Sequence, residues 1–201
     1  MKQEKWKFSA GTLLLCALLY YVSTPLEFAA FVLPVLIHEL GHVIVLYILG
    51  MRIRGFRAEL KGFCITYSGY TGAMGHAAAA LAGPLAGLSY AMTAAALSVR
   101  FQAEWLELSA GISLLLSMFN LLPALPLDGG RVFSALSCAL LGERAGTSLT
   151  DAVGLVIGAL LLSAGILMMV RGHGIALELA AIWLLLYQET GQGIVKMREM
   201  I

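Results

Sequence analysis

Residues 26–49 form an apolar stretch long enough to cross a bilayer, and His38-Glu39-Leu40-Gly41-His42 stands in its second half. Ionisable side chains at membrane depth are costly, so a chain that carries three of them there needs a fold that gives them partners. Glu27 is the only other charge in the stretch. Histidines four residues apart project from one helical face, about one turn from each other, and can converge on a single metal ion. Glu39, beside the first histidine, is placed to take the proton of a water activated at that ion. The pattern predicts a hydrolytic metal site inside a membrane helix.

Composition agrees with membrane residence. The 201 residues are 60% hydrophobic and 12% charged, with a mean hydropathy of +0.87, whereas soluble domains carry about a quarter charged residues. The length suits a single membrane-embedded domain spanning 1–201. A formal charge of +1 offers no case for nucleic-acid binding. Cys16, Cys64 and Cys138 form no C-x-x-C pair and are expected as small residues in apolar packing. Lys2, Lys5 and Lys7 precede the first apolar run, but no small-x-small cleavage site follows, and Leu15 before Cys16 argues against a lipoprotein signal. An uncleaved first helix is expected.

Apolar segments occupy about 8–22, 26–49, 77–99, 106–122, 152–170 and 175–187. The expected fold is an all-α polytopic membrane protein with about six transmembrane helices. Its core covers about 26–141, with additional helices at 8–22, 152–170 and 175–187. If the N-terminus is cytoplasmic and each segment crosses once, eleven of the 13 Lys and Arg residues are cytoplasmic and only Arg100 and Arg171 face outward. That asymmetry predicts cytoplasmic termini. Pro34 lies one turn before His38 and cannot donate the helical hydrogen bond, so a kink beside the motif is expected.

Between the second and third segments, residues 53–70 alternate and then turn β-prone, with Lys61-Gly62 as a possible turn. A small β-hairpin or sheet is expected there. Gly69, Gly72 and Gly75 predict a loose loop before the third helix. Gly83 with Gly87, and Gly154 with Gly158, have the spacing that lets helices approach closely. His76 and His173 lack motif partners and are expected as solvated interfacial residues.

A catalytic zinc site usually takes three protein ligands, so two histidines leave one position to fill. Most carboxylates lie outside the apolar segments or near their ends. Asp128 differs, because it closes the run Asn120-Leu-Leu-Pro123-Ala-Leu-Pro126-Leu-Asp128-Gly129-Gly130-Arg131, where the fourth helix gives out. Prolines and glycines there permit a re-entrant turn that can return a carboxylate to membrane depth. The plainer alternative is an interfacial turn in which Asp128 caps a helix starting near Val132.

Together, His38-Glu-Leu-Gly-His42 and Asn120-x-x-Pro-x-x-Pro-Leu-Asp128-Gly-Gly resemble the site-2 protease family of intramembrane zinc metalloproteases (M50-type). Within it, the resemblance is closest to the bacterial branch that includes the sporulation factor protease. It implies Zn2+ held by His38, His42 and Asp128, Glu39 as general base, and Asn120 holding substrate or stabilising the oxyanion. It also implies a membrane-protein substrate with a transmembrane helix, cleaved in or near the bilayer, and residence in the bacterial cytoplasmic membrane. A Gly-Pro-x-x-Asn element of the family is matched by Gly83-Pro84-Leu85-Ala86-Gly87, so its asparagine is absent. No PDZ-like or nucleotide-sensing region stands within the 201 residues, so substrate selection and control are expected from the membrane core or from a separate regulatory membrane protein. An edge strand in 53–70 could hold the unwound substrate by strand addition. A transporter that uses the same three side chains is the competing reading. Against it stand Glu39 directly after the first histidine and the lack of paired half-repeats. An inactive, sequestering family member is a further alternative, disfavoured because Glu39 and all three ligand positions are intact.

Overall fold

The computed structural model describes residues 7–8, 10–59, 62–69, 72–171 and 176–189. The elements in chain order are β1 (Lys7–Phe8), α1 (Ala10–Val22), α2 (Pro25–Ile48), β2 (Arg52–Glu59), β3 (Gly62–Ser68), α3 (Ala73–Phe101), α4 (Glu104–Asn120), α5 (Asp128–Leu141), α6 (Glu143–Val170) and α7 (Ala176–Glu189). Only α2, α3 and α6 among the described residues are long and apolar enough to cross a membrane. Large apolar side chains such as Leu14, Tyr47, Leu115 and Val170 are exposed. A surface of that kind suits lipid rather than water, and the protein is an integral membrane protein.

The described residues bear out a mostly helical membrane fold with a small sheet, and three of the about six expected spans. The described chain contains seven helices, of which three qualify as spans by length and apolarity. The helix missing from the apolar segments is α5. It opens with Asp128-Gly-Gly-Arg131 and buries Ser134 and Ser137, so it never forms an apolar run. The termini, Lys2, Lys5, Lys61, His173, Lys196 and Arg198 lie outside the described residues.

The chain divides into two compact units, Met1–Tyr70 with Ala82–Met118 and Thr71–Leu81 with Phe119–Ile201. In the first, α2 starts at a capping box. Thr24 Oγ1 accepts from the Glu27 amide at 3.3 Å, and Glu27 Oε2 accepts from the Thr24 amide at 2.7 Å. Glu27, the stray charge of the apolar stretch, thus closes the helix start. At the other end Gly50, with φ of +74°, lets the Met51 amide reach the Leu46 carbonyl and its own amide reach Tyr47. The helix stays continuous through buried Pro34.

The sheet has the order β1-β2-β3, with β1 parallel and β3 antiparallel to β2. Phe56 pairs with Ile65 and Glu59 with Gly62, and a register shift falls between Ile53 and Gly55. The hairpin was legible in the alternating pattern. The two-residue β1, from before α1, was not, because so short a strand has no pattern of its own. It makes β2 central and leaves β3 an edge among the described residues. Gly75 lies inside α3 rather than in a loop, and Cys16 is exposed on α1 rather than packed.

In the second unit Gly142, with φ of +81°, joins α5 to α6. Thr150 Oγ1 donates to the Gly146 carbonyl at 2.8 Å and lies 3.2 Å from Ser137 Oγ, linking the two helices. Gly158 lets α6 meet Leu184 and Leu185 of α7. Ala124, Leu127 and Leu184 form a core, joined by Phe119, Leu122, Ile157 and Trp183. The turn that leads into α5 is therefore seated on the two last helices.

Candidate metal centre

One face of α2 buries Ala30, Pro34, His38, Gly41, His42 and Leu46. Small residues precede the histidines, which are 5% and 8% exposed. The two Nε2 atoms face each other at 3.3 Å, with the rings at 79°. That separation is longer than the usual 2.9–3.0 Å of a nitrogen-donated hydrogen bond. It equals the edge of a tetrahedron with Zn–N bonds of about 2.0–2.1 Å, roughly 3.3–3.4 Å. The donor pair fits zinc.

Close contact with α3 holds this geometry. A Cβ added at Gly41 would stand 2.5 Å from the Ala82 carbonyl oxygen and 2.8 Å from Ala86 Cβ. One added at Gly83 would collide with His42 Nε2. The G-x-x-x-G pair of α3 thus serves two neighbours. Gly83 admits the His42 ring, and Gly87 faces Ser117 of α4, whose Oγ occupies the place of an added Cβ. No space exists at position 87 for the asparagine of the family pattern. The spacing of these glycines predicts general helix packing, and nothing in it says that the packed object is the histidine ring. Glu39 follows His38 on α2 and is half-buried.

In the second unit Asp128 is the first residue of α5 and is 5% exposed. A carboxylate at a helix start is favoured by the exposed amides there. The helix begins at Asp128 rather than near Val132, because the glycines that look like a turn are its first turn. Added Cβ atoms at Gly129 and Gly130 would strike the backbones of Leu121 and Leu122 and of Ala124 and Leu125. Only glycine lets the loop lie this close to the helix. The Leu125–Pro126 peptide is cis. Arg131, half-exposed, reaches the Asp128 carboxylate at 3.5 Å. Asn120 is the last residue of α4 and is half-buried. His76 lies in the first turn of α3, half-buried.

The family model for peptidase family M50 matches residues 79–164, which include Gly83, Asn120 and Asp128 but not the His38–His42 motif. A protein of Synechocystis sp., provisionally named a zinc metalloprotease, is 32% identical over 139 residues, or 65% of this chain. The chain spans 36% of that relative's length. The solved structure of a site-2 protease from Methanocaldococcus jannaschii superposes with a TM-score of 0.67 at 24% identity, covering 89% of this chain and 84% of that one. The likeness is one of fold and covers most of the chain.

Proposed function

We propose that this chain, whose residues 79–164 match the family model for peptidase family M50, is an intramembrane zinc metalloprotease that hydrolyses peptide bonds within or near transmembrane segments of membrane proteins. The observation that carries the reading is the separation of the His38 and His42 Nε2 atoms, 3.3 Å, matched to two corners of a zinc tetrahedron. His38, His42 and Asp128, all buried, are the three ligands. Bound zinc would polarise the scissile carbonyl and lower the pKa of water. Glu39 is the general base that removes the water proton and passes it to the leaving amine. Arg131 orients the Asp128 carboxylate, as outer partners of metal ligands do. Asn120 donates to the developing oxyanion.

The substrate is a membrane helix, whose peptide bonds must lose their internal hydrogen bonds before attack. The edge of β3 receives the unwound piece by strand addition. Residence in a bacterial cytoplasmic membrane with both termini inside, six crossings and a place in the sporulation-protease branch rest on the charge asymmetry, the apolar segments and the motif resemblance. A separate membrane protein would regulate access.

Purified protein is expected to contain one zinc per chain and to cleave a single-span substrate in proteoliposomes. A chelator should remove both the metal and the activity, and zinc should restore them. Zinc flux across the vesicles without cleavage would replace this reading with transport. The strand-addition step has its own test, in which proline replaces Ile65, Thr66 and Tyr67 in turn. A substitution that removes an outward amide donor is expected to slow cleavage about fivefold, the worth of one hydrogen bond. If all three leave the rate of folded enzyme unchanged, the edge is not used.

A further inference from the structure

Ser109, Ser113 and Ser117 lie on one face of α4, and each is 0% exposed. The first two are satisfied by α3. Ser109 Oγ lies 2.8 Å from Tyr90 Oη, and Ser113 Oγ donates to the Gly87 carbonyl at 2.8 Å. Ser117 Oγ has no hydrogen-bond partner. Helical hydroxyls elsewhere in the chain turn back onto a carbonyl four residues earlier, as Ser89, Ser137, Thr147 and Thr150 do. The Ser117 hydroxyl instead points at α3, into the side-chain space that glycine leaves open at position 87. A buried hydroxyl without a partner loses the hydrogen bonds it makes to water, so leaving one in place is costly.

Its position relates it to the histidine pair. His42 Nε2 fills the space at Gly83, and Ser117 Oγ fills the space at Gly87. Positions four apart on a helix have Cβ atoms about 5–6 Å from each other, so these two polar atoms lie within about 10 Å along one face of α3. An extended peptide advances about 3.3 Å per residue. A substrate with its scissile carbonyl beside His42 therefore brings a backbone amide two or three residues away to Ser117. His42 is 8% exposed and Ser117 0%, so this pairing requires that the face of α3 carrying Gly83 and Gly87 open to the substrate.

We propose that Ser117 Oγ hydrogen-bonds the backbone of the unwound substrate two to three residues from the scissile bond, and that position 87 is glycine because this hydroxyl needs its side-chain space. The proposal rests on the reading of His38 and His42 as the metal site. It makes Ser117 a substrate-positioning residue whose partner arrives only with the substrate.

The test uses the full chain in nanodiscs with Glu39→Gln as the uncleaving parent. The probe is a fluorescent single-span Leu/Ala peptide with a central Gly-Pro that eases unwinding. Adding Ser117→Ala is expected to weaken peptide binding about tenfold, while zinc content is unchanged and the melting temperature is unchanged or raised. Ser113→Ala, which breaks the bond to Gly87, should lower the melting temperature and leave the affinity alone. Gly87→Ala should weaken binding as Ser117→Ala does, and the double variant should be no worse than either. Affinity of the Ser117→Ala protein within twofold of the parent would overturn the proposal, as would a fall in melting temperature that tracks the loss. A zinc-loaded parent that binds no peptide would overturn the underlying protease reading, and the proposal with it.

Discussion

Glu39→Gln is expected to reduce cleavage of a single-span substrate by about 10²–10⁴-fold while the protein keeps its zinc. General acid–base catalysis by one positioned side chain is worth that range, and glutamine has the shape of glutamate without its basicity. Glu39 is adjacent to His38 on α2 but outside the buried row that contains both histidines. The change should therefore leave the Nε2 pair and its contact with Gly83 intact. Zinc measured by elemental analysis together with cleavage in proteoliposomes decides the matter. A variant that cleaves at the original rate removes Glu39 from the mechanism. One that loses zinc as well shows Glu39 acting on the metal site itself.

The second large effect is expected at Asp128. Its place at the start of α5 and its proposed role as a metal ligand are separated by Asp128→Asn. Asparagine also accepts hydrogen bonds at a helix start, but it lacks the negative charge with which a carboxylate binds Zn2+. The variant should fold, retain its helicity and lose zinc affinity by more than about a hundredfold, since even partners outside the ligand shell are worth about 10–100-fold. Competition with a calibrated chelator reads the affinity, and circular dichroism reads the fold. Unchanged affinity would leave Asp128 as a first-turn carboxylate of α5 and require a different third ligand.

Much of this was legible before any coordinates. The helical spacing of His38 and His42 follows from local geometry, and so do the bounds of α2, where the expected 26–49 became Pro25–Ile48. Thr24, Pro25 and Gly50 mark those ends by chemistry that needs no other part of the chain. The hairpin of β2 and β3 was visible in period-two alternation. Asp128 stood out through the prolines and glycines around it, although the same residues hid the start of α5 by resembling a turn.

The rest depended on contacts between distant segments. β1 is too short to announce itself and exists only because β2 offers it an edge. Gly83 carries no mark that distinguishes a helix-packing glycine from one that seats the ring of His42, far earlier in the chain. Ser117 looks like any small residue of a membrane helix until its hydroxyl is found turned away from its own backbone and toward Gly87.

The sequence by itself determined the chemistry available: two histidines on one helical face, a glutamate beside the first, and a carboxylate where a helix breaks. Residue type and helical period suffice for that, because both act within a few residues. Tertiary structure decided how the histidines are held and which hydroxyl lies near them. Those depend on how closely α3 approaches α2 and α4, and that closeness is set by missing side chains at Gly41, Gly83 and Gly87. An absent side chain has meaning only once its neighbour is known.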